Sequence, residues 1–241
     1  MNNFYEKLKP LINPERLYAN TERLLKKELP QTFSAYHAAA REAVAIMKEM
    51  GFDKTELLKF PADGKTVYQD KCMPMAWDAS IGKLTIRKSP FKFPNPVVAD
   101  YQVHPFHLVK GSVSTPPGGT ELRIITEMQM FGGADPKGCL IICETTTPPR
   151  PAILKKALDL GALGIITDFS KGGTEYPDSI QWVNACSEGP QWQVQADDRD
   201  FIAFSISRKT GDMLRAAANA GVLTALVESD GRRYEGTLPA A

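Results

Sequence analysis

The stretch CLIICETTTPPRPAILKKALDLGALGIITDF, Cys139 to Phe169, decides how the rest of the chain is read. It runs from an apolar strand through a short turn and a helix into a second apolar strand, the outline of a nucleotide-binding unit. A phosphate cradle needs main-chain N–H groups at the helix start, usually presented by glycines that let the backbone close on the anion. The turn here is ETTTPPRP, and Pro148, Pro149 and Pro151 each lack an N–H where the anion would sit. Glu144 adds negative charge beside them, and neither GxGxxG nor GxxxxGK[ST] occurs in the chain. The unit is therefore read as scaffold and not as a phosphate site.

A second strand-helix-strand closes the chain: FIAFSIS, then RKTGDMLRAAANAG, then VLTALVES, with Ser207 as helix cap and Gly221 as stop. The residues between the two units, Lys171 to Asp200, follow no regular period. Upstream, from about Leu57, short strands such as GKLTIRK are broken by Pro and Gly, and the run through VVADYQVHPFHLVKGSVSTPPGGTELRIITEMQM continues as strands around the turn STPPGG. The first 55 residues or so read as helices. NPERLYANTERLLKKEL opens on Asn13 as cap and Pro14 at the first helical position; TFSAYHAAAREAVAIMKEMG has Thr32 or Ser34 to start it and Gly51 to end it. Repeated strand-helix-strand units plus many short strands give a mixed α/β fold.

The chain has 241 residues, 43% of them hydrophobic and 24% charged, as in an ordinary soluble globular protein. Its 29 basic and 28 acidic residues nearly cancel, which gives no electrostatic reason to expect nucleic acid or an anionic membrane as partner. MNNFYEKLKPLINPERLYAN holds no apolar run long enough for a signal peptide or a membrane span, so a cytoplasmic location is expected, or a secreted one if a leader has been removed. The four cysteines are Cys72, Cys139, Cys143 and Cys186. Cys139 and Cys143, four apart in an extended segment, sit about 13 Å apart. A disulfide needs Cα atoms within about 7 Å, so buried reduced thiols are expected.

The ordered segments KGCLIIC (Lys137–Cys143), ALDLGALGIIT (Ala157–Thr167) and FIAFSISRKTGDMLRAA (Phe201–Ala217) resemble the core of the protease-associated (PA) domain. That family carries an apolar strand, a helix ending in an AGAKGVI-like junction, and a later IPAVSIS-like strand, in the same order. The resemblance covers roughly Ile81 to Ser229 and implies a PA-type β-sandwich or open barrel flanked by short helices, preceded by the N-terminal helix pair. Residues 1–80 are then a helical segment with short strands, part of an incomplete peptidase-like domain, and 81–241 the PA domain. MKEMGFDKTELLKFP resembles the opening of two-zinc aminopeptidase-like proteins, of the aminopeptidase or glutamate carboxypeptidase type, and RRYEGTLPAA resembles the strand that leads into their catalytic domain.

That resemblance implies zinc only in a catalytic domain absent from this chain. A two-zinc centre needs several His and carboxylate ligands plus a carboxylate to work on the bridging water. The chain has three histidines: His37 between alanines in a helix, and His104 and His107 in HPFH. Residues three apart on a strand face opposite sides, so the last two converge only if Pro105 turns the chain. Ser205 and Ser207 lack a GxSxG elbow, Cys186 lies in NACSEG without a partnering His, and ADDRD (196–200) reads as a solvated turn or a helix-start anion. No catalytic, cofactor-binding or metal-binding residue is assigned.

The leading expectation is thus the non-catalytic PA portion of an aminopeptidase-like zinc metallopeptidase, shaping substrate access or mediating protein interaction. Its partner is a catalytic peptidase domain or another protein or peptide, with a homo-oligomer also open. It predicts uncovered apolar surface on the N-terminal helices. One alternative is a free-standing peptide- or sugar-binding module that uses Tyr176, Trp182 and Trp192 of the irregular stretch as loop-borne aromatic anchors. The other is a hydrolase built on His104, His107 and a carboxylate such as Asp100. Trp77 is expected at the join between the helical and β-rich parts.

Overall fold

The computed structural model describes residues 2–149, 151–183, 186–189, 191 and 193–241. It divides into two units, residues 1–60 with 238–241, and residues 61–237. The first unit is helical: α1 (Asn2–Leu8), a 3-10 turn (Lys9–Leu11), α2 (Pro14–Glu28) and α3 (Phe33–Glu49). Pro14 opens α2, and the Asn13 side chain accepts the Arg16 N–H at 2.9 Å. Thr32, and not Ser34, caps α3 by accepting the Ala35 N–H at 3.1 Å. Helices α2 and α3 lie against each other, tied by Arg23, whose Nε donates to Glu42 at 2.7 Å and whose two terminal nitrogens fork onto Glu49 at 2.6 and 2.9 Å. Phe33, Ala35 and Ile46 of α3 are buried, but nothing on α2 is. Phe4, Tyr5, Leu17, Tyr18, Leu25 and Leu29 are each more than half exposed, so the uncovered apolar surface expected here is present.

Strand β1 (Leu58–Ala62) leads into the second unit, followed by the hairpin β2 (Val67–Tyr68) and β3 (Lys71–Cys72), then β4 (Ala76–Asp78), β5 (Gly82–Lys88) and β6 (Val97–Asp100). Next come β7 (Thr120–Thr126), α4 (Glu127–Phe131), β8 (Cys139–Ile142), α5 (Pro151–Asp159), β9 (Gly164–Thr167) and β10 (Ile202–Ser205). The chain ends with α6 (Arg208–Ala220), β11 (Leu223–Ser229), β12 (Arg232–Tyr234) and β13 (Gly236–Ala240). Seven strands form one sheet in the order β10-β9-β8-β7-β11-β5-β6, while β1 pairs β13, β4 pairs β12 and β2 pairs β3. Strands β7 to β10 run parallel; β11, β5 and β6 join antiparallel.

The burial pattern follows from that difference. All residues of CLII, GIIT and IAFS are buried, because α5 covers one face of the parallel strands and α6, which lies against β7, β8 and β11, covers the other. Antiparallel β11 instead alternates strictly, with Leu223, Ala225 and Val227 buried. The register sets those three on the same face as Leu84, Ala99, Leu122, Ile124, Leu140, Ile142, Ile166 and Phe204, a continuous apolar layer across the sheet. Each fully buried Leu or Ile contributes about 1.5–3 kcal/mol, so a one-residue slip of β11, which turns its apolar set outward, is strongly disfavoured. On the opposite face Ile125, Ile141, Ile165 and Ala203 pack with Ile153, Leu154, Ala157 and Leu158 of α5.

The sheet curls almost into a barrel because one segment spans its two edges. After edge strand β6 the chain turns at Pro105–His107 and then runs beside β10, the other edge. Leu108 bridges Phe204, the Val109 N–H donates to the Ala203 carbonyl at 2.9 Å, and the Val113 N–H donates to the Phe201 carbonyl at 2.9 Å. Ser112 adds a reciprocal pair: its hydroxyl donates to the Ala203 carbonyl at 3.2 Å and accepts the Ala203 N–H at 3.0 Å. Two glycines make the β8–α5–β9 unit possible. Gly161 stops α5 in the left-handed region at φ +87°, and a Cβ on Gly164 would fall 1.8 Å from the Ile202 carbonyl oxygen.

One sequence reading is corrected. TELRIITEMQM is not one strand: Thr126 accepts the Gln129 N–H while the Gln129 side chain accepts the Thr126 N–H, a capping box that starts α4. Trp77 lies on β4 within the second unit, buried, with its indole N–H donating to the Ser112 carbonyl at 2.8 Å. No helix among the described residues is long and apolar enough to cross a membrane.

Candidate functional site

In open α/β sheets ligands bind beyond the carboxyl ends of the parallel strands, and that rim is the first candidate site. Asp168, just past β9 and 1% exposed, lies at its centre. Arg215 of α6 reaches it with both terminal nitrogens, at 3.0 and 2.5 Å, and the Thr145 hydroxyl donates to it at 2.9 Å. Arg215 also donates to the Cys143 carbonyl at 3.0 Å, covering the end of β8, and to Asp212 at 2.6 Å. Burial works against the Arg215 charge, but its hydrogen bonds to Asp168 and Asp212 outweigh that and hold its proton affinity above the ordinary arginine range. Glu127, at the start of α4, accepts the Glu144 N–H at 2.8 Å and the Thr147 hydroxyl at 3.2 Å. The helix α6 comes so near that a Cβ on Gly211 would lie 2.1 Å from the Asp168 carboxylate. Asp168, Asp212 and Glu127 are thus engaged by the protein's own donors, and Pro148, Pro149 and Pro151 stand where anion-binding amides would be.

The histidine pair forms the second candidate. Pro105 does turn the chain, and the His104 and His107 rings meet edge to face with centroids 5.9 Å apart. The His107 Nδ1–H donates to the Ser205 carbonyl at 2.8 Å, which leaves Nε2 as the acceptor; His104 is the reverse, its Nδ1 accepting the Phe106 N–H at 3.3 Å. An open groove of about 380 Å³ runs past His107, Asn95, Val97, Asp100 and Val103. The Asp100 carboxylate is committed elsewhere, to the Gln102 N–H at 3.0 Å and the Lys83 ammonium at 3.6 Å. Burial lowers the affinity of both rings for a second proton; for His107 the Ser205 bond opposes the shift and the neighbouring His104 adds to it. His37 belongs to the other unit. Among the described residues no three His, Cys, Asp or Glu side chains converge as metal ligands do, so what is described here does not fit a zinc centre.

The irregular stretch is the third. Tyr176 is 66% and Trp182 41% exposed, and no ring contact joins them among the described residues; Trp192 lies outside those residues. The stretch is anchored at several points. The Ser205 hydroxyl donates to the Gln181 carbonyl at 2.7 Å, and Val183, Cys186 and Val194 pack into the core over α5. Arg199 pairs with Glu188 and with Asp159, while Asp198 accepts the N–H groups of Glu188 and Gln195 at 3.1 and 2.8 Å. A polar cleft of about 620 Å³ opens beside this network, with Lys65 and Cys72 on its far wall. Burial pushes the Cys186 thiol up to about 12 and the Cys143 thiol well above its usual range; Cys139 and Cys72 shift the same way. Protonated thiols are poor nucleophiles, and burial is the largest cause of the upward shift at each of the four.

No protein-family model and no curated protein matches the sequence. Solved structures do match. A peptidase M28 precursor from Shewanella amazonensis aligns over 93% of this chain at 17% identity with a TM-score of 0.53. A zinc aminopeptidase from Bacillus subtilis (13% identity, 85% of this chain, 40% of that one, TM-score 0.48) and an aminopeptidase from Aneurinibacillus sp. (15%, 85%, 41%, 0.42) superpose less well. This chain spans 52% of the Shewanella protein. At such identity the likeness speaks for fold alone: the chain folds as about half of an M28 peptidase precursor does.

Proposed function

We propose that this chain is the non-catalytic, protease-associated portion of an aminopeptidase-like zinc metallopeptidase, acting on substrate access or on protein partners and not on peptide bonds. The observation that carries the reading is the fold shared with half of an M28 peptidase precursor, combined with ionisable groups turned inward on the protein itself. The apolar residues left exposed on α1 and α2 support a covering partner, for which a catalytic peptidase domain is our choice. In this view zinc belongs to that domain. The test is direct: the purified chain, with zinc or cobalt added, is assayed on aminoacyl and peptide substrates. No turnover is expected, and metal-dependent turnover lost on His107→Ala would overturn the proposal.

A second reading is favoured by the exposure of Tyr176 and Trp182 on an otherwise anchored stretch. Here the chain recognises peptide or sugar directly through these aromatic faces. Titration with peptide or oligosaccharide pools, following tryptophan emission, separates the two. Saturable quenching abolished by Trp182→Ala supports the second reading, and an unchanged signal removes it.

A further inference from the structure

Among the described residues, the one buried side-chain nitrogen or oxygen without a hydrogen-bond partner is Nη2 of Arg233. Arg233 lies on β12, opposite Trp77 of β4, and its side chain is 9% exposed. Of its five N–H donors, the one on Nε goes to the Gly111 carbonyl at 2.7 Å. Those on Nη1 go to the carbonyls of Asp198 and Arg199 at 3.1 and 3.0 Å. The guanidinium stacks 4.7 Å from the centre of the Phe201 ring. Its nearest carboxylate is Asp200 at 3.7 Å, on a side chain 81% exposed, so compensation from that side is weak. Leaving a buried charged donor unsatisfied carries the full desolvation penalty of that group.

Arg233 also lines a cavity of about 10 Å³ together with Met75, Trp77, Gly111, Cys186 and Val194. That is about the space one water occupies, and too little for a phosphate, a carboxylate or a peptide group. Gly111 can line it only through its main chain, and a carbonyl that already accepts Nε has a second lone pair to offer. The Cys186 thiol is a weak donor and acceptor on the same wall. We propose that this cavity is a binding site for a single water molecule, which accepts from Arg233 Nη2 and completes the tie between β12, the closing segment at Gly111 and the irregular stretch at 198–199.

Met75, Trp77, Gly111, Cys186, Val194 and Arg233 line the site, so the residence time of its water reports how readily those walls part. A high-resolution crystal structure of the whole chain tests the site. One isolated oxygen peak within hydrogen-bond distance of Nη2 is expected. A dry cavity, a protein carbonyl bonded directly to Nη2, or density for a larger molecule would each overturn it. Water oxygen-17 relaxation dispersion gives the solution counterpart: Arg233→Met should lose one long-lived water relative to the natural protein, and an equal number sinks the proposal. Should that variant fail to fold, the crystal structure of the natural chain decides alone.

Discussion

Replacing Asp168 by alanine tests whether the rim of the parallel strands is structural. The substitution removes both Arg215 contacts, at 3.0 and 2.5 Å, and the Thr145 contact at 2.9 Å. The Asp168 side chain is fully buried and that of Arg215 12% exposed, so the guanidinium is left with the Cys143 carbonyl and with Asp212, whose side chain is 61% exposed. Removing one partner of a buried pair costs about 3–5 kcal/mol, and the surviving contacts place this case near the lower end, about 3 kcal/mol. All three tryptophans, Trp77, Trp182 and Trp192, lie between residues 61 and 237, so tryptophan emission in a urea titration follows the second unit alone. The midpoint should fall with an unchanged slope. The double variant Asp168→Leu with Arg215→Met, which leaves no buried charge, should recover most of the loss. A single-variant cost below about 1 kcal/mol, or a double variant as damaged as the two singles summed, would refute the reasoning.

Three further outcomes follow from the geometry. Gly164→Ala sets a Cβ 1.8 Å from a backbone oxygen at φ +154°, where neither partner is a flexible side-chain tip; it should cost more than about 3 kcal/mol, read as lost soluble yield or a collapsed urea midpoint. His104 and His107 bind a second proton less readily folded than unfolded. The unfolded chain therefore takes up protons first as pH drops below about 6.5, and stability present above that pH declines below it. Melting temperature measured from about pH 7.5 to 5 should fall, and His107→Gln should flatten the slope. Iodoacetamide on the native protein should label Cys72, the one cysteine with partial exposure, well before Cys139, Cys143 and Cys186, as peptide mass mapping would show.

What could be read from the chain beforehand was whatever its physics kept local. Asn13, Thr32 and Ser207 act within one turn of themselves, and each caps the helix it precedes. The runs CLII, GIIT and IAFS advertise burial on both faces because no polar residue interrupts their apolar pattern until the strand end. The helix α4 is not legible in the sequence although Thr126 and Gln129 carry the spacing of a capping box, since five residues are too few for a helical period to show. The barrel seam, the Asp168–Arg215 pair and the reach of Arg233 were invisible for a different reason. Their partners lie 34 to 122 residues apart, and only the assembled sheet brings them together.

The same distinction explains why a nucleotide-like outline carries no nucleotide chemistry. In a doubly wound sheet the strand ends present unused amides and a crevice, and the ligand supplies what they lack. Here the chain supplies it itself: a guanidinium from α6 stands over the end of β8 and against Asp168, and the turn amides a phosphate would use are replaced by prolines or, at Glu144, donated to Glu127. A rim satisfied in this way has those donors and acceptors already engaged within the protein. The fold leaves apolar area uncovered on α1 and α2 and at Tyr176 and Trp182, and these are the surfaces on which the proposed partner contacts would be made.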